Sequence, residues 1–472
     1  MDANILFNTL IFHTFITKKT MNRITLIIQL LLIINFSFSQ NNDEKVIRDI
    51  FDNVLLNDEA YNNLEYLCTE APGRLIGSDE SIIAVNFMKD YFKKLGADSV
   101  FLQEFITPAW KCNSTEVSIL IDGKEIQLRA DALGPSPSTQ GKGLFTNVIE
   151  VQGLDELKAL DKEEVQGKIV FYNRPVDMRI VSTFRVYSSA IDQRYYGPKV
   201  AAEMGASGVL VRSVGTRIDT FPHTGSTGFK EIKIPCAAIS TVDANILSKA
   251  LKDNKALKVK MVIDAEDMEE ITTYNLIADL RGNEFPDEFI VVGGHIDSWF
   301  NSPGAHDDGI GCVQSADVMR IFKELGIENK RTIRVILFMD EELFQSGGSA
   351  YANYTHANEI KNYLALEADA GGFTPEGFTV DASDSVVGII SGYQSLLEPY
   401  GIHYIKKGGS GVDIGPLKQF GVPLMGYRTD SQRYMDLHHS AYDTFDKVHI
   451  RELQLGSGNM AAIIFLVDKY GL

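Results

Sequence analysis

Closely spaced cysteines are absent from this chain. Cys68, Cys112, Cys236 and Cys312 lie far apart with no CxxC spacing, which excludes a zinc ribbon and a dithiol redox motif. They read as small buried thiols. Basic charge is also scarce: 45 Lys and Arg against 63 Asp and Glu give a net charge of -18. Nucleic acid and anionic membrane surfaces therefore repel the chain on average, and cations are drawn to it. No internal repeat or low-complexity tract interrupts the sequence. With 44% hydrophobic residues over 472 positions, the chain has material for a substantial core and more than one domain, so disordered and fibrous classes are excluded.

The N-terminus reads as an address. From Met21, "MNRITLIIQLLLIINFSFSQNND" opens with a basic residue, Arg23, followed by an apolar stretch of about 15 residues and small serines, the pattern of a secretory signal. The stretch is shorter than the roughly 20 apolar residues that a spanning helix needs, so stable membrane insertion after signal removal is not expected. Residues 1–40 form this signal region, with Met21 as the expected start and residues 1–20 an upstream extension. No cysteine stands at the cleavage point to carry a lipid. Export to the periplasm or the extracellular space follows.

Three stretches succeed it. Residues 41–117 read as helices and then a strand; in "ESIIAVNFMKDYFKKLGA" the residues Ala84, Met88, Tyr91, Phe92 and Leu95 share one helical face, and Gly96 ends the helix. Residues 118–265 change texture to short β-like runs around one helix, "YGPKVAAEMGA", and read as an inserted domain. Residues 266–472 alternate helices with continuous apolar runs, among them "FIVVGG", "TIRVILFM" and "YLALEA". Such runs predict an α/β fold with a mainly parallel sheet covered by helices on both faces.

The chemistry gathers where those runs end. "FIVVGGHID" delivers His295 and Asp297, "TIRVILFMDEEL" delivers Asp340, Glu341 and Glu342, and "YLALEADAGG" delivers Glu367 and Asp369. Open α/β sheets place their sites at the C-terminal ends of strands. Carboxylates crowded there cannot all stay ionised unless cations neutralise them, and a metal pair is the economical answer. The imidazole of His295 selects a transition metal such as zinc over calcium or magnesium. Asp297 is placed to accept the second ring N–H of His295. Asp307, in the loop "GAHDDG", has two oxygens with which to bridge two metals, and Asp308 reads as the cap of the following helix.

Together "GGHIDSW", "GAHDDG", "DEEL", "EADAGG" and "HHSAYDT" resemble the co-catalytic zinc exopeptidases. The likeness extends over the insert, where "KIVFYNRP", "YGPKVAAEMGASGVLVRSVG" and "IPCAAIS" look like a protease-associated domain. The resemblance implies two Zn2+ ions per chain, one held by His295, Asp307 and Asp369 and the other by Asp307, Glu342 and His439. It leaves Glu341 as general base, with Asp297 assisting. His438 then serves as packing or substrate contact, and Ser410 and Asp413 in "KKGGSGVDIGPL" are candidates for gripping a peptide terminus. His306 reads as a non-ligand, and His13, His223, His356, His403 and His449 as ordinary surface or core histidines.

The expected activity is hydrolysis of short peptides or dipeptides, by an aminopeptidase or a carboxypeptidase of dipeptidase type; close relatives imply a homodimer. Two other classes share the fold. A glutaminyl-cyclase-like acyltransferase uses one zinc, and a receptor-like homologue uses none, whereas all five ligand positions are present here.

Overall fold

A computed structural model describes residues 42–228 and 233–472. The expected signal region, with Met21 and His13, lies outside the described residues. Residues 42–52 are helical and belong to a unit of their own, and Asn53–Leu472 forms the other. Among the described residues, no helix is long and apolar enough to cross a membrane.

In chain order the described strands are β1 (Ser99–Ile121), β2 (Lys124–Leu128), β3 (Ala130–Ala132), β4 (Leu144–Val151), β5 (Ile169–Tyr172), β6 (Gly208–Arg212) and β7 (Cys236–Ile239). They continue as β8 (Lys258–Leu280), β9 (Phe285–His295), β10 (Arg331–Phe338), β11 (Lys361–Glu367), β12 (Pro375–Asp381), β13 (Tyr404–Lys407) and β14 (Leu424–Thr429). The main sheet has the order β13-β12-β14-β11-β9-β10-β8, with β1 beyond β8. Its centre, β14-β11-β9-β10, is parallel, as the apolar runs predicted. The flanks are not: β8 is antiparallel to β10 and β12 is antiparallel to β14, which makes the sheet mixed. Burial does not separate the two arrangements: the last six residues of β9 and the last seven of β10 are buried, and so are Leu276, Ile277, Ala278 and Asp279 of β8, which pair with β10, whereas the first half of β8 alternates buried with exposed residues.

β1 and β8 form one long antiparallel ribbon from Ser99↔Asp279 to Ile119↔Val259. Its far end pairs with β2 and β4, and β4 leads into a second parallel set, β4-β5-β6-β7. β5, β6 and β7 are buried throughout and share a core containing Val170, Tyr172, Val209 and Ala238.

The helix Asp79–Leu95 shows how local sequence sets an element. The Ser78 hydroxyl accepts the Ser81 N–H, Asp79 and Glu80 sit in the first turn, and Lys93 and Lys94 in the last. Gly96 then takes a left-handed φ of 78° and closes the helix. Ala84, Met88, Tyr91 and Phe92 are buried, as their spacing predicted, while Leu95 is only half-buried.

The helix Ile310–Leu325 is buried from Ile310 to Phe322, because the sheet lies on one side and the helix Ile450–Tyr470 on the other. Its first turn comes so close to the strand ends that a Cβ on Gly311 would lie 1.9 Å from the Ala368 carbonyl oxygen. Only glycine fits there, and the close approach carries the Asp307–Asp308 loop to the rim of the sheet. Cys68, Cys236 and Cys312 are buried, Cys112 is partly so, and all four thiols are free.

Candidate metal centre

β9 ends at His295, whose ring is 1% exposed. Its Nδ1–H points to the Asp297 carbonyl oxygen at 3.2 Å, with the Asp297 carboxylate farther away at 3.6 Å. Thus Asp297 sets the tautomer through its backbone. Its carboxylate instead accepts the amides of Glu341 and Glu342, both at 3.3 Å, and so ties the β9 loop to the β10 loop.

Nε2 of His295 is left facing Asp307 Oδ1 at 3.3 Å and Asp369 Oδ1 at 3.8 Å. The other oxygen of Asp307, Oδ2, faces His439 Nε2 at 3.5 Å, and His439 Nε2 lies 3.1 Å from Glu342 Oε2. Strand ends from three parallel neighbours and the distant segment around His439 thus converge on one carboxylate. His439 adopts a left-handed φ of 57°, a conformation that costs a non-glycine residue about 1 kcal/mol or more and persists where its surroundings over-determine it.

Asp308, also within reach of His295 and Asp369, is otherwise engaged. One oxygen accepts the Gly311 N–H, as expected of a helix cap, and the other accepts the His295 N–H, both at 3.1 Å. His438 stacks on His439 at 3.5 Å and lies 3.8 Å from Asp307 Oδ2. Its neighbour is the better oriented: His439 Nδ1–H faces the Thr224 carbonyl oxygen at 3.3 Å, whereas Nδ1 of His438 has no hydrogen-bond partner among the described residues.

Burial drives the carboxyls of this cluster upward, Glu341 to about 8 and Glu342 well above its ordinary range, with Asp369 moved the same way. Burial also pulls His438 down to about 3 and His439 well below its usual value. His295 behaves differently: burial disfavours its cation, but Asp297 and Asp307 outweigh that and raise it well above an ordinary histidine. Its partner Asp307 is held below the usual carboxylate range, because His295, His438 and His439 together overcome the effect of burial.

A test of fit lies in the polar atoms left over. His295 Nε2, Asp307 Oδ2 and Glu342 Oε1 are buried without a hydrogen-bond partner among the described residues, although buried polar atoms are rarely left so. Imidazole nitrogens and carboxylate oxygens, buried, unpaired and mutually facing, form a donor set that suits zinc.

Of the three expected substrate contacts, His438 is beside the cluster. Asp413 is buried, with neither oxygen hydrogen-bonded to a described residue, and lies in the electrostatic neighbourhood of Glu367 and Glu341. Ser410 offers its carbonyl to Arg428, in a loop also pinned by Glu367, which accepts the Val412 and Ile414 amides at 2.8 Å. Residues that sequence reasoning did not single out complete the surroundings. Arg74 donates to the carbonyls of Ile296, Pro303 and Gly304 and holds the loop after β9. Arg194 donates to the Thr224 carbonyl at 2.9 Å, and its Nη1 lies 3.4 Å from His439 Nδ1. Asp443 accepts the amides of His306 and Asp307; it stood within "HHSAYDT", and that position was the available signal. A cleft of about 720 Å³ is lined by Ala370, beside Asp369, together with Phe184, Arg185, Tyr404 and Arg428.

Residues 275–464 match the model of peptidase family M28. The chain is 31% identical to carboxypeptidase Q of Bos taurus over 413 residues, which is 87% of this chain and 84% of that protein. The chain belongs to peptidase family M28. Its identity to carboxypeptidase Q of Homo sapiens is also 31%, over 87% of this chain and 84% of the relative. Among solved M28 structures, a peptidase M28 precursor from Shewanella amazonensis superposes with a TM-score of 0.86 at 29% identity, covering 92% of this chain and 98% of that one. A zinc aminopeptidase from Bacillus subtilis shares the fold, with a TM-score of 0.66 at 19% identity over 86% and 94% of the two chains.

Proposed function

We propose that this M28 peptidase is an exported exopeptidase holding two zinc ions and acting on short peptides. Family membership makes the chain a metal-dependent exopeptidase; the number of ions, the ligand set and the substrate length are the finer reading. The observation that carries it is the disposition of Asp307, whose two oxygens face different histidines, His295 and His439. His295, Asp307 and Asp369 would hold one ion, and Asp307, Glu342 and His439 the other. Bound zinc supplies Lewis acidity toward a peptide carbonyl and lowers the pKa of water.

The protein's own groups do the rest. Glu341 carries the proton, accepting it from the attacking water and returning it to the leaving amine. Asp297 keeps His295 in the tautomer that presents Nε2, and the Thr224 carbonyl does the same for His439. Asp413 and His438 remain the candidates for contact with a peptide terminus, with Ser410 on the same loop as Asp413. The segment 118–265, read as an inserted protease-associated-like domain, contributes Phe184 and Arg185 to the cleft and so limits the length of substrate.

Export rests on the signal pattern from Met21, and periplasmic or extracellular location follows from it. The test is metal content per chain together with mass analysis of products from a mixed dipeptide and tripeptide library. Two zinc ions and single-residue trimming support the reading. One ion with cyclised products, or no ion and no products, overturns it.

A further inference from the structure

A second cavity, of about 680 Å³, lies away from the metal centre, between β4 and the helix Thr241–Asp253. None of the residues that line it belongs to the cluster around Asp307. Its most unusual member is Arg212, at the end of β6, which is 9% exposed yet forms no ion pair with any described carboxylate. A buried guanidinium ordinarily finds a carboxylate, because taking its charge out of water is costly. Here one nitrogen, Nη1, donates to the side-chain oxygens of Asn245 at 2.9 Å and Asn173 at 3.3 Å. Nε and Nη2 have no hydrogen bond to a described residue, and burial lowers the pKa of the group.

Across the same amide stands the opposite charge. Asn173 Nδ2 donates to Glu150 Oε1 at 2.6 Å, and the Ser248 hydroxyl donates to the same oxygen at 2.8 Å. Glu150 Oε2 receives no hydrogen bond from a described residue. Asn173 therefore sits between Arg212 and Glu150 and keeps them from pairing with each other; both retain unused polar atoms, and both residues line one cavity. Lys168, Lys252 and Lys255 also line it and form no ion pair with a described residue, so basic groups outnumber the acidic Glu150 and Glu156 by four to two in a chain whose overall charge is -18. Val148, Pro175 and Leu251 add apolar wall.

We infer that this cavity binds a free α-amino acid with an apolar side chain, its carboxylate on Arg212 and its ammonium on Glu150. A guanidinium recognises a carboxylate through paired N–H donors, and a carboxylate oxygen freed of other partners accepts an ammonium. An α-amino acid carries these two charges at short separation, as the two ends of one asparagine amide require. The apolar wall accommodates the side chain. The inference concerns a site separate from the proposed active centre and stands whether or not that centre holds two metals.

Equilibrium dialysis of the full chain with labelled L-leucine tests it. The wild-type chain should bind one equivalent more than Arg212→Gln, and Glu150→Gln should weaken that equivalent at least tenfold. 4-Methylpentanoate, which lacks the ammonium, and isopentylamine, which lacks the carboxylate, should each fail to displace leucine from it. A folded Arg212→Gln chain that binds leucine with wild-type stoichiometry overturns the inference. Displacement by 4-methylpentanoate as effective as by leucine also overturns it, by showing a plain anion site. Should Arg212→Gln not fold, Glu150→Gln decides alone: unchanged leucine affinity in that variant sinks the proposal.

Discussion

The Asp443 carboxylate accepts the backbone N–H of Asp307 at 3.0 Å, so a residue far along the chain fixes the backbone of the residue at the middle of the candidate metal centre. The same side chain accepts the His306 N–H at 2.9 Å, and it is fully buried. Asp443→Ala should leave two buried amides without acceptors, each costing about 1–3 kcal/mol, and should release Asp307 from its position. The expected result is a lower denaturant midpoint together with weaker zinc binding. A normal midpoint and normal zinc affinity would show that the contact is incidental.

Asp307 itself should behave unlike the other ligands. If Asp307 is shared as proposed, Asp307→Asn removes a charge common to both ions, and loss of the two metals should be cooperative. Asp369→Asn and His439→Ala should each weaken one site. Chelation of the wild-type chain should abolish hydrolysis and lower the thermal midpoint, because ions that bind only the folded state stabilise it. Metal titrations of the three variants read the difference, and full retention of one ion by Asp307→Asn contradicts a shared ligand.

Glu341 and Glu342 are adjacent but differently disposed. Glu342 faces His439, whereas among the described residues Glu341 Oε1 accepts a hydrogen bond only from the Gln345 side-chain amide, at 3.3 Å. Glu341→Gln should keep both metals and lose about a hundredfold or more in kcat, the scale of a positioned proton carrier. Glu342→Gln should lose metal. Kinetics paired with metal analysis checks both, and the reverse pattern would exchange the two roles.

A pH dependence of stability is expected away from the metal centre. Burial raises the Asp243 carboxyl, but hydrogen bonds from Arg129 and Ser240 outweigh burial and hold its folded pKa below the ordinary value. A carboxyl depressed in the folded state contributes stability that is present above its unfolded pKa of about 3.9 and is lost as pH falls through the folded value. The gap in thermal midpoint between wild type and Asp243→Ala should therefore be constant above about pH 5 and narrow below about pH 4. A gap that widens on acidification would mean that the carboxylate is not stabilised by folding.

Much of the site was legible because its parts are local. A buried strand followed by His295 and Asp297, a glycine-bounded Asp307 and Asp308, and the Glu341–Glu342 pair each occupy one strand end and its loop, and the parallel register of β9, β10 and β11 brings them to one rim. The long ribbon of β1 and β8 was not legible. Its middle, around Glu266 to Thr273, lacks a continuous apolar run, and its strand identity rests on pairing with a partner more than a hundred residues away. The segment boundaries expected at 117/118 and 265/266 fall inside that ribbon.

Residue type and spacing were enough for the kind of chemistry, for the buried central strands and for the capped helix ending at Gly96, since each depends on neighbours within a turn or a strand. Orientation needed the folded chain. That Asp297 fixes His295 through its carbonyl, that Thr224 and Arg194 face His439, that Arg74 holds the loop after β9, and that Asn173 keeps Arg212 from Glu150 are contacts between atoms. All but the first join segments well separated in sequence. Their geometry is set by packing and by the demand that buried polar groups find partners, and no local pattern records which distant group will answer that demand.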